Sequence, residues 1–216
     1  MRFVALIAAA FGLTAAAPPE ADLLNFNHAL AEGRRVDATA IVDKLLRERD
    51  PGSGKLQPDP VLNALIGRVM VVGRQFPAAA AYLDRAPSAQ LPAALRGPTA
   101  YDHALALEQT GQRSKAIAAF SEAAALSTGL QRRSALYGQA RLSLVDNPAA
   151  AQTLLAQASN AEGADRWQGD FLQSLASSLL GDRQAAERYE AELRKVWHRA
   201  DADHAGAREL RRTASN

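Results

Sequence analysis

The chain has 216 residues, 48% of them apolar and 22% charged, which suffices for one extended core and argues against disorder throughout. Its 25 basic and 23 acidic residues leave a formal net charge of +2, and both signs alternate along most of the chain, so no electrostatic case for nucleic acid arises. Cysteine is absent, which excludes disulfides, thiolate catalysis, cysteine-ligated zinc and a lipidated cysteine.

The N-terminus reads Arg2, then the apolar run Phe3 to Leu13, then the small residues Thr14, Ala15, Ala16 and Ala17 before Pro18-Pro19. That is the layout of a secretory signal peptide, since the run stops short of the roughly 20 apolar residues needed to cross a bilayer. Proline directly after the scissile bond blocks cleavage, so the cut is placed after Ala16. Residues 1–16 are then the signal and residues 17–204 an exported domain in the periplasm, with no integral membrane segment after cleavage.

Beyond it, glycine and proline punctuate long Ala/Leu-rich stretches rather than Val/Ile/Thr-rich runs, which predicts helices. Five helix pairs are expected, near 20–49, 60–87, 97–128, 131–160 and 165–199. The breaker-rich stretch from Asp50 to Pro60 is a linker, and Ala86-Pro87 to Leu91-Pro92 is another loop. Within the linker, Gly52-Ser53-Gly54-Lys55 has the ending of a phosphate-binding loop, but Arg49 stands where the first glycine belongs and Leu56 where the magnesium-holding hydroxyl belongs.

The clearest pair runs from Pro98 to Leu130. Tyr101, Ala104, Leu105 and Leu107 mark one helix face, and Ala116, Ala119, Phe120 and Ala123 mark the next. Gly111 supplies the left-handed backbone that ends the first helix. The second-helix pattern recurs as Ala38, Val42, Leu45; as Ala79, Leu83, Ala86; as Ala151, Leu155, Ala158; and as Ala185, Tyr189. Gly33 and Gly181 mark further turns. The starting alanines are 41, 37, 35 and 34 residues apart, a near-constant period that predicts an internal repeat.

Ala104, Leu107, Gly111, Ala116, Phe120 and Ala123 resemble the tetratricopeptide repeat family at its small, bulky, turn, small, aromatic and small positions. The proline that usually closes the unit is replaced by Ser127-Thr128-Gly129. Gln139 stands where the first helix of the next unit has its small residue, and Glu192 where the last has one. The resemblance implies an all-α, right-handed α-solenoid of about five antiparallel helix pairs, whose first helices line a concave wall. At helix spacings of about 8–10 Å, that wall is roughly 40–50 Å long, the reach of a dozen or so extended residues. Carried onto this sequence, the positions turned toward it are Asn27, Arg68, Tyr101, Leu105, Glu108, Gln109, Arg133, Leu136, Trp167 and Asp170. Tyr101 and Trp167 are the expected anchors, because aromatic side chains dominate such interfaces. Either aromatic could instead pad the contacts between repeats.

No chemistry stands out beside this. His198 and His204 are six residues apart, hence about 240° apart around a helix, and cannot share an ion. His28 and His103 are isolated beside apolar positions and read as capped or half-buried. Glu187, Glu190 and Glu192 have helical-spacing partners in Arg183, Arg188, Arg194 and Lys195. The basic tail at 205–216, with Arg208, Arg211 and Arg212, suits a helix C-terminus. A non-catalytic scaffold is expected, with no cofactor and no metal, binding a protein or peptide. The alternative is a homo-oligomer built through the open ends of the repeat.

Overall fold

The computed structural model describes residues 18–49, 59–159 and 167–197. The signal-like segment, the Gly52–Lys55 loop, the His198–His204 cluster and the basic tail lie outside them. Among the described residues there are ten α-helices and no strand. They are α1 (Glu20–Ala31), α2 (Arg35–Arg49), α3 (Pro60–Val72), α4 (Phe76–Leu83), α5 (Ala93–Gln109), α6 (Arg113–Leu126), α7 (Gly129–Ser143), α8 (Pro148–Ser159), α9 (Trp167–Leu179) and α10 (Arg183–Trp197). The chain is therefore all-α, and none of these helices is long and apolar enough to cross a membrane. It divides into two compact units, residues 1–56 and 57–216.

The smaller unit holds α1 and α2. Glu20 and Asp22 sit in the first turn of α1, where negative charge complements the helix dipole. Leu23, Phe26 and Ala29 of α1 and Ala38, Val42 and Leu45 of α2 are buried. Lys44 donates to Asp22 at 2.9 Å across the pair.

The larger unit runs from α3 to α10. Asp59 caps α3 by accepting the Val61 N–H at 2.8 Å, with Pro60 at the first helical position. Each helix packs on the next in the chain, and α3, α5, α7 and α9 also touch in succession.

One turn chemistry recurs in both units. Gly33, Arg74, Gly111 and Gly181 all have positive φ, at 71°, 57°, 75° and 77°. At each, the following N–H bonds back to a carbonyl five residues earlier: Arg34 to Ala29, Gln75 to Met70, Gln112 to Leu107 and Asp182 to Ser177. The positive-φ residue itself bonds three residues back, to Leu30, Val71, Glu108 and Ser178. These paired bonds satisfy the carbonyls that a helix end leaves orphaned. The next helix then starts two residues after the positive-φ position.

Five residues after each such turn position comes a buried alanine: Ala38, Ala79, Ala116 and Ala186. Ala151 is its counterpart in α8, and it too is fully buried. The triplets 38/42/45, 79/83/86, 116/120/123 and 151/155/158 are buried throughout, as their spacing predicts. The last pair corrects the sequence reading by one residue. Ala186 and Leu193 face the core there, whereas Ala185 and Tyr189 are half-buried.

A second correction concerns α7. The α7–α8 turn, residues 144–147, is one residue longer than the three-residue turns of the other pairs. Counting back through it moves the small position from Gln139 to Gly138. A Cβ on Gly138 would lie 2.6 Å from Cε1 and Cζ of Phe120, so α6 and α7 approach closely only because this residue has no side chain. Gly67 plays the same part between α3 and α4, where a Cβ would meet Leu83 Cγ at 2.6 Å.

Helix limits differ from expectation where breakers mislead. α4 ends at Leu83, and a short 3-10 turn at Ser88–Gln90 fills the connection to α5. α5 begins at Ala93 and runs through Pro98, although proline removes a backbone donor from a helix interior. α7 begins at Gly129 rather than Gln131.

Candidate partner-binding face

Of the expected binding positions, four lie on α5. Gln109 is exposed, while Tyr101, Leu105 and Glu108 are half-buried. Tyr101 meets Phe120 edge-on, with ring centroids 5.7 Å apart and planes at 66°, a favoured aromatic geometry. Burial, and secondarily the Asp102 charge, raises the Tyr101 phenol above its ordinary pKa. One edge of this ring thus pads the packing between α5 and α6.

Arg68, Arg133 and Leu136 are buried, at 6%, 7% and 3% exposure, so any contact they make with a partner is through a small surface. Arg68 on α3 donates through Nε to Asp102 Oδ2 on α5 at 2.7 Å. Burial pushes the Asp102 carboxyl above the ordinary aspartate range, and the Arg68 charge and hydrogen bond oppose that shift. The pair ties two first helices together in a poorly hydrated setting, where each charge depends on the other.

Glu108 makes a corresponding link from α5 to α7, accepting from Arg141 at 2.7 Å. Here Arg141 is half exposed while Glu108 is largely covered. Trp167 and Asp170, on α9, are half-buried. They, Arg133, and Asn27 in the smaller unit are already engaged by partner groups.

The structure therefore gathers Arg68, Tyr101, Leu105, Glu108 and Gln109 around α5, with Asp102 and Arg141 completing the charged groups. Sequence reasoning passed over those last two. A signal for them existed: Arg68 and Asp102 are 34 residues apart, and Glu108 and Arg141 are 33 apart. Opposite charges one repeat apart are what neighbouring first helices would use to pair.

The isolated histidines separate. His28 is exposed, 3.0 Å from Glu32 one turn away. It is thus paired with a surface carboxylate rather than half-buried. His103 is half-buried, with Nε2 2.9 Å from Asp84 at the end of α4. Among the described residues, no group of three His, Cys, Asp or Glu side chains could hold a metal ion. On α10, Arg194 pairs with Glu190 at 3.3 Å and Lys195 with Glu192 at 2.6 Å, while Arg188 lies over the Tyr189 ring at 5.2 Å.

Comparison of the chain with protein-family models, with curated proteins and with solved structures gave no match in any of the three. What bears on function is the physical chemistry of the helices themselves.

Proposed function

We propose that this chain is a non-catalytic scaffold, a tetratricopeptide-like right-handed α-solenoid of antiparallel helix pairs that holds a protein or peptide partner in the periplasm. The observation that carries the reading is the recurring unit: a left-handed turn residue, a buried alanine five residues on, and small residues where helices meet. Units that repeat this way bury a continuous core by stacking and leave a long surface for recognition. The α5 surface supplies the contact chemistry, with Tyr101 and Leu105 as apolar body and Glu108, Arg141 and Gln109 as polar register-setters. The signal-like N-terminus supports export, and envelope, pilus or secretion-system assembly is the setting such an adaptor would serve.

The test is purification of the native chain from a periplasmic extract beside a Gln109→Arg, Leu105→Glu double variant. Both substitutions fall on residues that are not fully buried. A defined protein that co-elutes with the wild type and is lost from the folded variant supports the reading. Finding the chain in the cytoplasm, or an equal yield of the same partner from both, overturns it.

A second reading rests on Leu175, Leu179 and Leu180, which are 37%, 54% and 45% exposed on and just after α9. Apolar residues grouped in this way are suited to self-association. A concentration-independent dimer in sedimentation, dispersed by Leu179→Glu, supports this reading. A monomer at all concentrations removes it.

A further inference from the structure

Four of the five described helix pairs close their first helix with a positive-φ residue, and the α7–α8 turn does not. There the Leu142 carbonyl accepts from Arg113, through Nε at 2.9 Å and through Nη2. Nη2 also lies 3.0 Å from Asp146 Oδ2 in the turn itself. Arg113 belongs to the preceding pair, as the first residue of α6. In its own helix it is badly placed, because a cation at a helix N-terminus opposes the dipole. At the C-terminus of α7 the same charge is favourable, facing carbonyls that the backbone of the turn leaves to be satisfied. α8, by contrast, starts on its own cap, with Asn147 accepting the Ala150 N–H at 3.0 Å.

We propose that Arg113 is a helix C-cap supplied by the neighbouring pair, and that the α7–α8 turn is consequently the first of the larger unit's described within-pair turns to open. The turns within the other pairs are closed by paired bonds of their own backbone, so they open only when their helices unravel. This one keeps a single backbone bond, Asn147 N–H to the Ser143 carbonyl at 2.8 Å, and is otherwise held by one side chain that is 41% exposed, beside an aspartate that is 69% exposed. Screening can weaken that clasp in a way it cannot weaken a backbone turn.

Hydrogen exchange on the full chain, read by mass spectrometry, tests the proposal. The reporter is the turn at 144–147, where the Asn147 N–H bonds to Ser143 at 2.8 Å. In Arg113→Met this turn is expected to exchange about tenfold faster, the scale set by loss of one charge-assisted bond, while the turns at 110–112 and 180–182 keep their rates. At about 1 M salt, where screening acts within about 3 Å, the wild-type rate at 144–147 rises toward that of the variant and the variant does not change. Arg113→Lys falls between them, since an ammonium lacks the fork that reaches both acceptors. Unchanged exchange at 144–147 in Arg113→Met overturns the proposal. So does an equal acceleration at all three turns, which would mean the residue supports global stability alone.

Discussion

Gly138 offers the sharpest quantitative test of how the pairs fit. Replacing it with alanine puts a Cβ 2.6 Å from two ring carbons of Phe120 and 2.8 Å from a third. Ordinary contact begins near 3.4 Å, so the methyl and the ring overlap by roughly 0.6–0.8 Å, a displacement a close-packed interior resists. The ring is fully buried and abuts Tyr101, so it has no open side to move into. Overpacking of this kind costs about 1–3 kcal/mol. Against that, alanine is favoured over glycine inside a helix by about 1 kcal/mol, so Gly138→Ala should destabilise by about 0–2 kcal/mol. Phe120→Leu removes part of a buried ring and should cost roughly 1–2 kcal/mol, below the range for truncation to alanine. The two changes together should cost less than Phe120→Leu alone, because the shortened side chain leaves room for the new methyl and the helix preference remains. The coupling, about 1–3 kcal/mol in favour of the double variant, is measured from urea titrations of all four proteins followed by helical circular dichroism. Simple additivity of the two changes would refute the close approach of α6 and α7 at this point.

Arg68→Met should destabilise by about 3 kcal/mol, because it strands the Asp102 carboxylate in a buried site. The sign of its pH dependence follows from Asp102, whose folded pKa is raised by burial and only held back by Arg68. Such a group contributes stability below its unfolded pKa and loses that contribution as pH rises through the folded value. Without Arg68 the folded pKa climbs further, so the gap in melting temperature between wild type and variant should be widest near neutrality and narrow toward about pH 4. A gap that does not vary with pH would show that Asp102 is not buried with its charge. Arg74 carries a left-handed backbone with φ of 57°, a conformation that costs a side-chain-bearing residue about 1–2 kcal/mol. Arg74→Gly should therefore raise the melting temperature, by up to about 1 kcal/mol of stability once glycine's greater unfolded freedom is set against the relief. Gly111→Ala, at φ of 75°, should lower it by about 1 kcal/mol, and a fall on both substitutions would contradict the shared turn geometry.

Much of the helical plan is written locally. Gly33, Gly111 and Gly181 announce their turns because only glycine adopts positive φ without cost, and that requirement is visible without knowing any neighbour. The alanines at 38, 79, 116 and 151 announce the close-packed side of each second helix, because a small residue recurring at fixed spacing is what a near approach of two helices requires. Arg74 gives no such notice. Its backbone is held left-handed by the bonds around it, against its own preference, so a search for glycine stops one residue early, at Gly73, whose φ of −76° is not left-handed.

What needed the folded chain is everything that depends on which helix lies beside which. The small residue of α7 is Gly138 rather than Gln139 because one extra residue in the turn at 144–147 shifts the register, and a one-residue shift rotates a helix by about 100°. The same kind of slip exchanges Ala185 for Ala186 in the last pair. Arg68 reads as a surface contact in the sequence, yet Asp102 lies opposite it in the fold, and Leu136 is core. Composition, turns and period are properties of residues near one another along the chain. Burial and pairing join residues on different helices, from Gly67 and Leu83 within one pair to Arg68 and Asp102 in successive pairs, and only packing decides which of those meet.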